Sequence, residues 1–268
     1  MTRHTAQAHG ASLSVRVDGS EDKPWLLLAN SLATDVGMWD DQIPFLVRTH
    51  RVVRFDARGH GASEVAEAPY DLATLSDDML AVLDAVGAAR ADVMGLSLGG
   101  MTAMGLALAH PERVRSLVVC CARADAPEPF HASWDDRIAI VRDRGTEGLV
   151  EGTLARWFSA GVASTVRDRA ATMIRRTSAE GYIGCARAIQ GLDHLKDLHR
   201  MTVPVLYVAG ELDLAAPVPA MQAMADATPG SRLIVLPRLA HVPVMEAPGV
   251  FAKAIDGWRR DVQGEAKA

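Results

Sequence analysis

The chain has 268 residues, 49% of them hydrophobic, and a net charge of -5 with acidic and basic residues interspersed. That supplies one large core, or a core domain carrying an insertion, and it leaves no electrostatic footprint for nucleic acid or an anionic membrane. A small neutral or anionic ligand stays open as partner. The opening stretch "MTRHTAQAHGASLSVRVDG" lacks an apolar h-region, and nothing approaches the roughly 20 apolar residues of a bilayer span, so a cytoplasmic protein is expected. Cys120, Cys121 and Cys185 cannot build a disulfide framework; the first two, in "SLVVCC", read as small residues of a buried strand.

In chain order, apolar runs with strand character appear at "SLSVRV", "WLLLA", "RVVRF", "ADVMGL", "RSLVVCC", "VPVLYVAG" and "SRLIVLP". Most are separated by segments of helical periodicity, which predicts a mainly parallel, doubly wound α/β sheet covered on both faces. Between Leu72 and Gly87 the spacing of Leu75, Met79, Val82, Leu83 and Val86 predicts one covering helix, with Thr74 and Asp77 as its N-terminal cap. The alternation stops after Cys121. About seventy residues pass before the strand at Val203, and "WDDRIAIVRDRG", "GLVEGTLARWF" and "EGYIGCARAIQGL" within them look helical. The expectation is a core of residues 1–121 and 203–268 with a helical cap inserted at 122–202. There is no repeat, and only the tail "DVQGEAKA" looks frayed.

"DVMGLSLGGMTAMGLALAH" sets Gly95, Ser97 and Gly99 as G-x-S-x-G between a strand and a helix. Such a turn presents Ser97 at the carboxyl edge of the sheet, and the helix N-terminus behind it favours developing negative charge. A serine hydroxyl is a poor nucleophile near neutral pH, so a base and an acid are needed downstream. "VPVLYVAGELDLAAP" delivers Asp213 after a strand, and "LIVLPRLAHVPVMEAP" delivers His241 after the next. The order Ser, Asp, His and the intervals leave room for the insertion before the acid and one strand–helix unit after it. Glu211 is the rival acid. His194 and His199 are five apart, off one helical face, so no metal pair is expected.

These residues resemble the α/β-hydrolase fold over nearly the whole chain. The resemblance assigns Ser97 as nucleophile, His241 as base and Asp213 as the acid that orients it, and it implies no metal or organic cofactor. "VVRFDARGHGAS" is similar to the loop after the fourth strand of that superfamily, which gives Asp56, Arg58 and His60 to loop architecture. Members usually carry His-Gly after the third strand; here Asn30-Ser31 stands in its place. The next backbone N–H, Leu32, together with Leu98, is expected to form the oxyanion hole, at roughly 3–4 kcal/mol per donor. Asn30 and Ser31 themselves read as turn chemistry.

The departure from His-Gly is similar to 3-oxoadipate enol-lactonases, whose "NSLGTD...MW" stretch resembles "NSLATDVGMW". "APYDLATLSDD", "WDDRI", "RWF" and "EGYIGCARAI" also resemble segments of that family, whereas "CCARADAP" and "AHVPVMEAP" depart from it. The resemblance implies a small-molecule lactone or ester substrate, opened through acyl transfer to Ser97. It also suggests Trp134, Arg137 and Trp157 of the cap as substrate-binding residues. Trp134 and Arg137 are three apart on one helical face, so an indole would wall the pocket while a guanidinium meets a substrate carboxylate. The plain alternative pairs Arg137 with Asp135, Asp136 or another surface acid and leaves Trp134 simply packing the cap. A general carboxylesterase, a carbon–carbon bond hydrolase or a perhydrolase would use the same triad; a ligand receptor of this fold would hydrolyse its ligand sluggishly.

Overall fold

The computed structural model describes residues 1–265. Eight strands form one sheet: β1 (Thr2–Ala8), β2 (Ala11–Asp18), β3 (Trp25–Ala29), β4 (Arg51–Phe55), β5 (Ala91–Leu96), β6 (Val114–Cys120), β7 (Val205–Gly210) and β8 (Arg232–Leu236). Their order is β1-β2-β4-β3-β5-β6-β7-β8. β2 pairs antiparallel with β1 and β4, and every other pairing is parallel. Every apolar run of the sequence forms a strand. β1 is an additional strand with no alternation in its sequence to read, because Ala6 is its sole buried residue.

β5 and β7 are buried along their whole length, as strands covered on both faces must be. Covering the sheet are α1 (Ile43–Leu46), α2 (Leu72–Ala85), α3 (Leu98–Ala109), α8 (Val218–Ala227), α9 (Pro243–Glu246) and α10 (Pro248–Glu265). α2 corrects the expected cap: Asp71, not Thr74 or Asp77, is the N-cap, its side chain accepting from the Thr74 N–H. α10 runs into the tail expected to fray, of which residues 266–268 lie outside the described ones.

Between β6 and β7 come α4 (Glu128–Arg144), α5 (Val150–Trp157), α6 (Ser164–Arg176) and α7 (Ala179–Gln190). The chain leaves and rejoins the sheet layer at one place: Asp125 and Asp193 form a bridge, and the His194 and Leu195 N–H groups both donate to the Ala124 carbonyl, at 2.7 and 2.9 Å. α7 seats this insertion on the loop after β4, where Gly181 and Gly59 approach so closely that a Cβ on Gly181 would lie 2.5 Å from the Gly59 Cα. The Ser178 N–H donates to the Gly59 carbonyl at the same contact.

Strand order reverses between β3 and β5: the chain steps from β3 outward to β4 and then returns to the other side of β3. Ligands of open α/β sheets bind outside the carboxyl ends of the strands at such a switch point. The loops leaving β3 and β5 are the ones that carry Leu32 and Ser97.

Candidate active site

Ser97 occupies the turn between β5 and α3 at φ 55, ψ -116, a conformation few non-glycine residues adopt. The two flanking glycines are required by space. A Cβ on Gly95 would lie 2.2 Å from the Gly99 carbonyl oxygen, and one on Gly99 would lie 2.3 Å from the Ala29 carbonyl oxygen. The Ser97 N–H donates to the Cys120 carbonyl at 2.9 Å, which fixes the turn against β6. Ser97 is partly exposed, whereas the residues around it are buried.

His241 and Asp213 are joined at 2.8 Å, Nδ1 to Oδ2. A carboxylate only accepts, so Nδ1 donates and the neutral ring keeps its lone pair on Nε2. The other Asp213 oxygen accepts from the Ala215 and Ala216 N–H groups, at 2.8 and 3.1 Å. Burial pushes the Asp213 carboxyl up, but the His241 ring and those N–H groups outweigh it and hold the group below the usual carboxylate range. Glu211 lies elsewhere: it is exposed and accepts from the Arg238 N–H at 2.7 Å. Ser97 and His241 line one cleft. Among the described residues, Ser97 Oγ makes no hydrogen bond; such contacts often tighten only when substrate is bound.

The loop after β3 is held from several sides. Asn30 Nδ2 donates to the Phe55 carbonyl at 2.8 Å, its Oδ1 accepts from Trp39 Nε1 at 2.9 Å, and its carbonyl accepts from the Gly99 N–H at 3.0 Å. Asn30 and Trp39, the two ends of "NSLATDVGMW", are thus hydrogen-bonded to each other. Ser31, Leu32 and Ala33 face the cleft beside Ser97. Among the described residues neither the Leu32 nor the Leu98 N–H has an acceptor, while the adjacent Ala33 and Gly99 N–H groups do. The Leu98 side chain points the other way, into a small hollow behind the turn.

The cap side of the cleft is formed by Phe130, Trp134 and Arg137 of α4, Thr153, Arg156 and Trp157 of α5, and Tyr182 of α7. The Arg137 guanidinium lies 4.3 Å from the Trp134 ring centroid. Of its expected rival partners, Asp135 pairs instead with Arg187 at 2.8 Å, and Asp136 acts on Arg137 only through its nearby charge. Among the described residues Arg137 has no carboxylate at ion-pair distance. Burial and the neighbouring Arg156 both lower its pKa, and burial lowers that of Arg156. Among the described residues Arg156 hydrogen-bonds only to the Thr153 hydroxyl, at 3.4 Å, and the buried Trp134 Nε1 has no hydrogen-bond partner; burial raises the Tyr182 phenol to about 12. This end of the cleft therefore carries two guanidinium groups, and among the described residues no carboxylate lines it.

Trp134, Arg137 and Trp157 line the same cleft as Ser97 and His241. Arg156, Thr153 and Tyr182 were not singled out from the sequence. Thr153, Arg156 and Trp157 stand at i, i+3 and i+4, so the helical face that brings Trp157 to the cleft carries all three. Cys121 corrects its strand assignment: it lies one residue past β6, at φ 46, and faces the cleft. Burial, then the nearby Asp213 charge, pushes its thiol well up, so it is no ready thiolate. Asp56, Arg58 and His60 stay out of the cleft; Arg58 pairs with buried Asp78 at 2.5 Å. Among the described residues no cluster of His, Cys, Asp and Glu could hold a metal, and no helix is long and apolar enough to cross a membrane.

A strained serine at a strand–helix turn, a buried His–Asp pair in the same cleft and two unengaged backbone donors can perform acyl transfer. The chain belongs to the alpha/beta hydrolase fold family, whose model matches residues 24–248. Among its relatives, 3-oxoadipate enol-lactonase 2 of Acinetobacter baylyi is 31% identical over 95% of both chains. The enol-lactonase of Burkholderia xenovorans LB400 is similar in structure, at TM-score 0.90 and 33% identity, over 94% of this chain and 97% of the other. A hydrolase from Pseudomonas aeruginosa PA01 is similar at TM-score 0.90 and 38% identity, over 95% and 97%. The protein is an α/β hydrolase similar to enol-lactonases.

Proposed function

We propose that this hydrolase opens a small carboxylate-bearing lactone, 3-oxoadipate enol-lactone, to the open-chain acid. Ser97 attacks the lactone carbonyl, His241 takes its proton, Asp213 orients and stabilises the imidazolium, and the Leu32 and Leu98 N–H groups receive the oxyanion. Ring opening expels an enolate, which ketonises as it takes up the proton held by His241; this draws the reaction forward and returns the ring to its neutral form. Water activated by His241 then releases the acid from Ser97. The segment 122–202 acts as the cap that selects the substrate.

The observation that carries the choice of substrate is the unpaired donor set opposite Ser97. Two half-buried guanidinium groups with no carboxylate of their own favour an anionic ligand, and a planar guanidinium suits a carboxylate. A neutral ester would leave Arg137 and Arg156 desolvated without compensation. The enol-lactonase relatives support the same reading. Arg137→Met should raise KM for the carboxylate-bearing lactone by about 10²-fold and leave a neutral ester within a few-fold. Equal losses on both substrates would remove the carboxylate site from the account.

A further inference from the structure

The loop that carries Leu32 is held by a histidine outside the cleft. His60, in the loop after β4, is 1% exposed. Its Nδ1 lies 3.0 Å from the Arg58 carbonyl oxygen, and its Nε2 lies 3.1 Å from the Ala33 nitrogen. A carbonyl only accepts and a backbone N–H only donates, so the two contacts define one species: neutral imidazole, protonated on Nδ1, with its lone pair on Nε2. Burial lowers the His60 pKa, which favours that neutral form.

Ala33 needs such a partner. It sits at φ 62, where an alanine is strained, and such strain persists only where the surroundings hold it. It is the third residue of a turn closed by the Ser31 carbonyl, which accepts from the Thr34 N–H at 3.3 Å and from the Thr34 hydroxyl at 2.7 Å. Relaxing Ala33 to negative φ would rotate the Leu32–Ala33 peptide and pull its N–H off His60. The adjacent peptide carries the Leu32 N–H. Asp56 braces the same loop further along, accepting from the Val36 N–H at 2.7 Å and the Ala62 N–H at 3.0 Å, but His60 is the side chain that bonds to the turn's central peptide.

We propose that His60 is a positioning residue for the oxyanion hole: its neutral Nε2 locks the Leu32–Ala33 peptide and so keeps the Leu32 N–H aimed beside Ser97. A preorganised donor stabilises the transition state more than the ground state, so loosening it costs kcat rather than KM. The inference rests on the reading of Ser97 as nucleophile and Leu32 as donor, and is independent of which ester or lactone is native.

The test uses p-nitrophenyl acetate and a boronic acid that forms a tetrahedral adduct with an active-site serine. His60→Gln keeps an acceptor near the Nε2 position; His60→Asn and His60→Phe do not. His60→Asn and His60→Phe should lower kcat roughly 10²-fold, the scale of losing one oxyanion donor, with KM within about threefold. Boronate affinity should fall in parallel, and His60→Gln should recover most of both. Val82→Ala, a buried change on α2 away from the cleft, controls for lost stability and should leave kcat unchanged. If His60→Phe does not fold, the contrast between His60→Gln and His60→Asn decides. The proposal is overturned if the folded variants lose no more kcat than Val82→Ala, if the loss lies in KM alone, or if the Gln and Asn variants behave alike. Ser97→Ala, run alongside, separates the failures: should it retain activity, the serine reading itself falls.

Discussion

Asp213 and Glu211 are two residues apart and chemically similar, yet only one can serve His241. Asp213 is buried, bonded to the ring and to two backbone N–H groups, whereas Glu211 caps an exposed loop. Asp213→Asn would present an amide where Nδ1 needs an acceptor, and kcat should fall about 10⁴-fold, as should that of Ser97→Ala; Glu211→Gln should stay within a few-fold. Steady-state kinetics on folded variants checks the ranking, and a Glu211 loss equal to that of Asp213 would reverse it. At this scale the sequence was informative wherever a motif ties a residue type to a backbone site. Gly95, Ser97 and Gly99 could be read because only small residues fit that turn. The pairing of Asn30 with Trp39 could not, because nothing in the spacing of an amide and an indole shows that they meet.

Elements set the position of the cleft through a few close contacts. The helical insertion was visible as a break in strand–helix alternation, but α6 gave no clear signal of its own, since its buried residues are confined to Ala170, Ala171, Met173 and Ile174, two of them alanines. β1, with Ala6 alone buried, is silent for the same reason. The contact of α7 with the loop after β4 depends on Gly59 and Gly181, a long-range pair that no local pattern discloses. Gly181→Ala must move one of the two backbones. It should destabilise the protein by roughly 1–3 kcal/mol, the usual cost of overpacking, and raise KM for the lactone because Tyr182 is the next residue. Denaturant unfolding together with KM checks this, and an unchanged midpoint with unchanged KM would mean that the contact does not position α7.

At the scale of the whole molecule, the sheet separates chemistry from cohesion. The carboxyl ends of the strands carry the cleft, and the opposite end carries a buried polar cluster around Asp92 of β5. Its carboxylate accepts from Ser116 at 2.6 Å and from Arg115 at 2.9 and 3.0 Å, and pairs with His50 at 2.9 Å. Burial would raise the Asp92 pKa, but these partners hold it down to about 2. A depressed carboxylate pKa contributes stability above the unfolded-state value near 3.8 and loses it as pH falls through about 2. The contribution is about 2 kcal/mol. The gap in urea midpoint between the native protein and Asp92→Asn should therefore be widest at neutral pH and shrink between pH ~4 and ~2; a gap constant with pH would contradict this linkage. The fold class was readable from periodicity, because buried parallel strands and amphipathic helices leave regular patterns. Which charges would pair across the sheet depends on register, and register is not local.

The central claim is that the cleft joins a serine nucleophile to an anion-seeking cap. It is tested most directly by comparing kcat/KM of the purified protein for 3-oxoadipate enol-lactone with that for p-nitrophenyl acetate and butyrate. The account predicts a preference for the lactone of at least about 10²-fold, the scale of one charge-assisted contact made in a desolvated site. Equal constants, or a preference for the neutral esters, would contradict it.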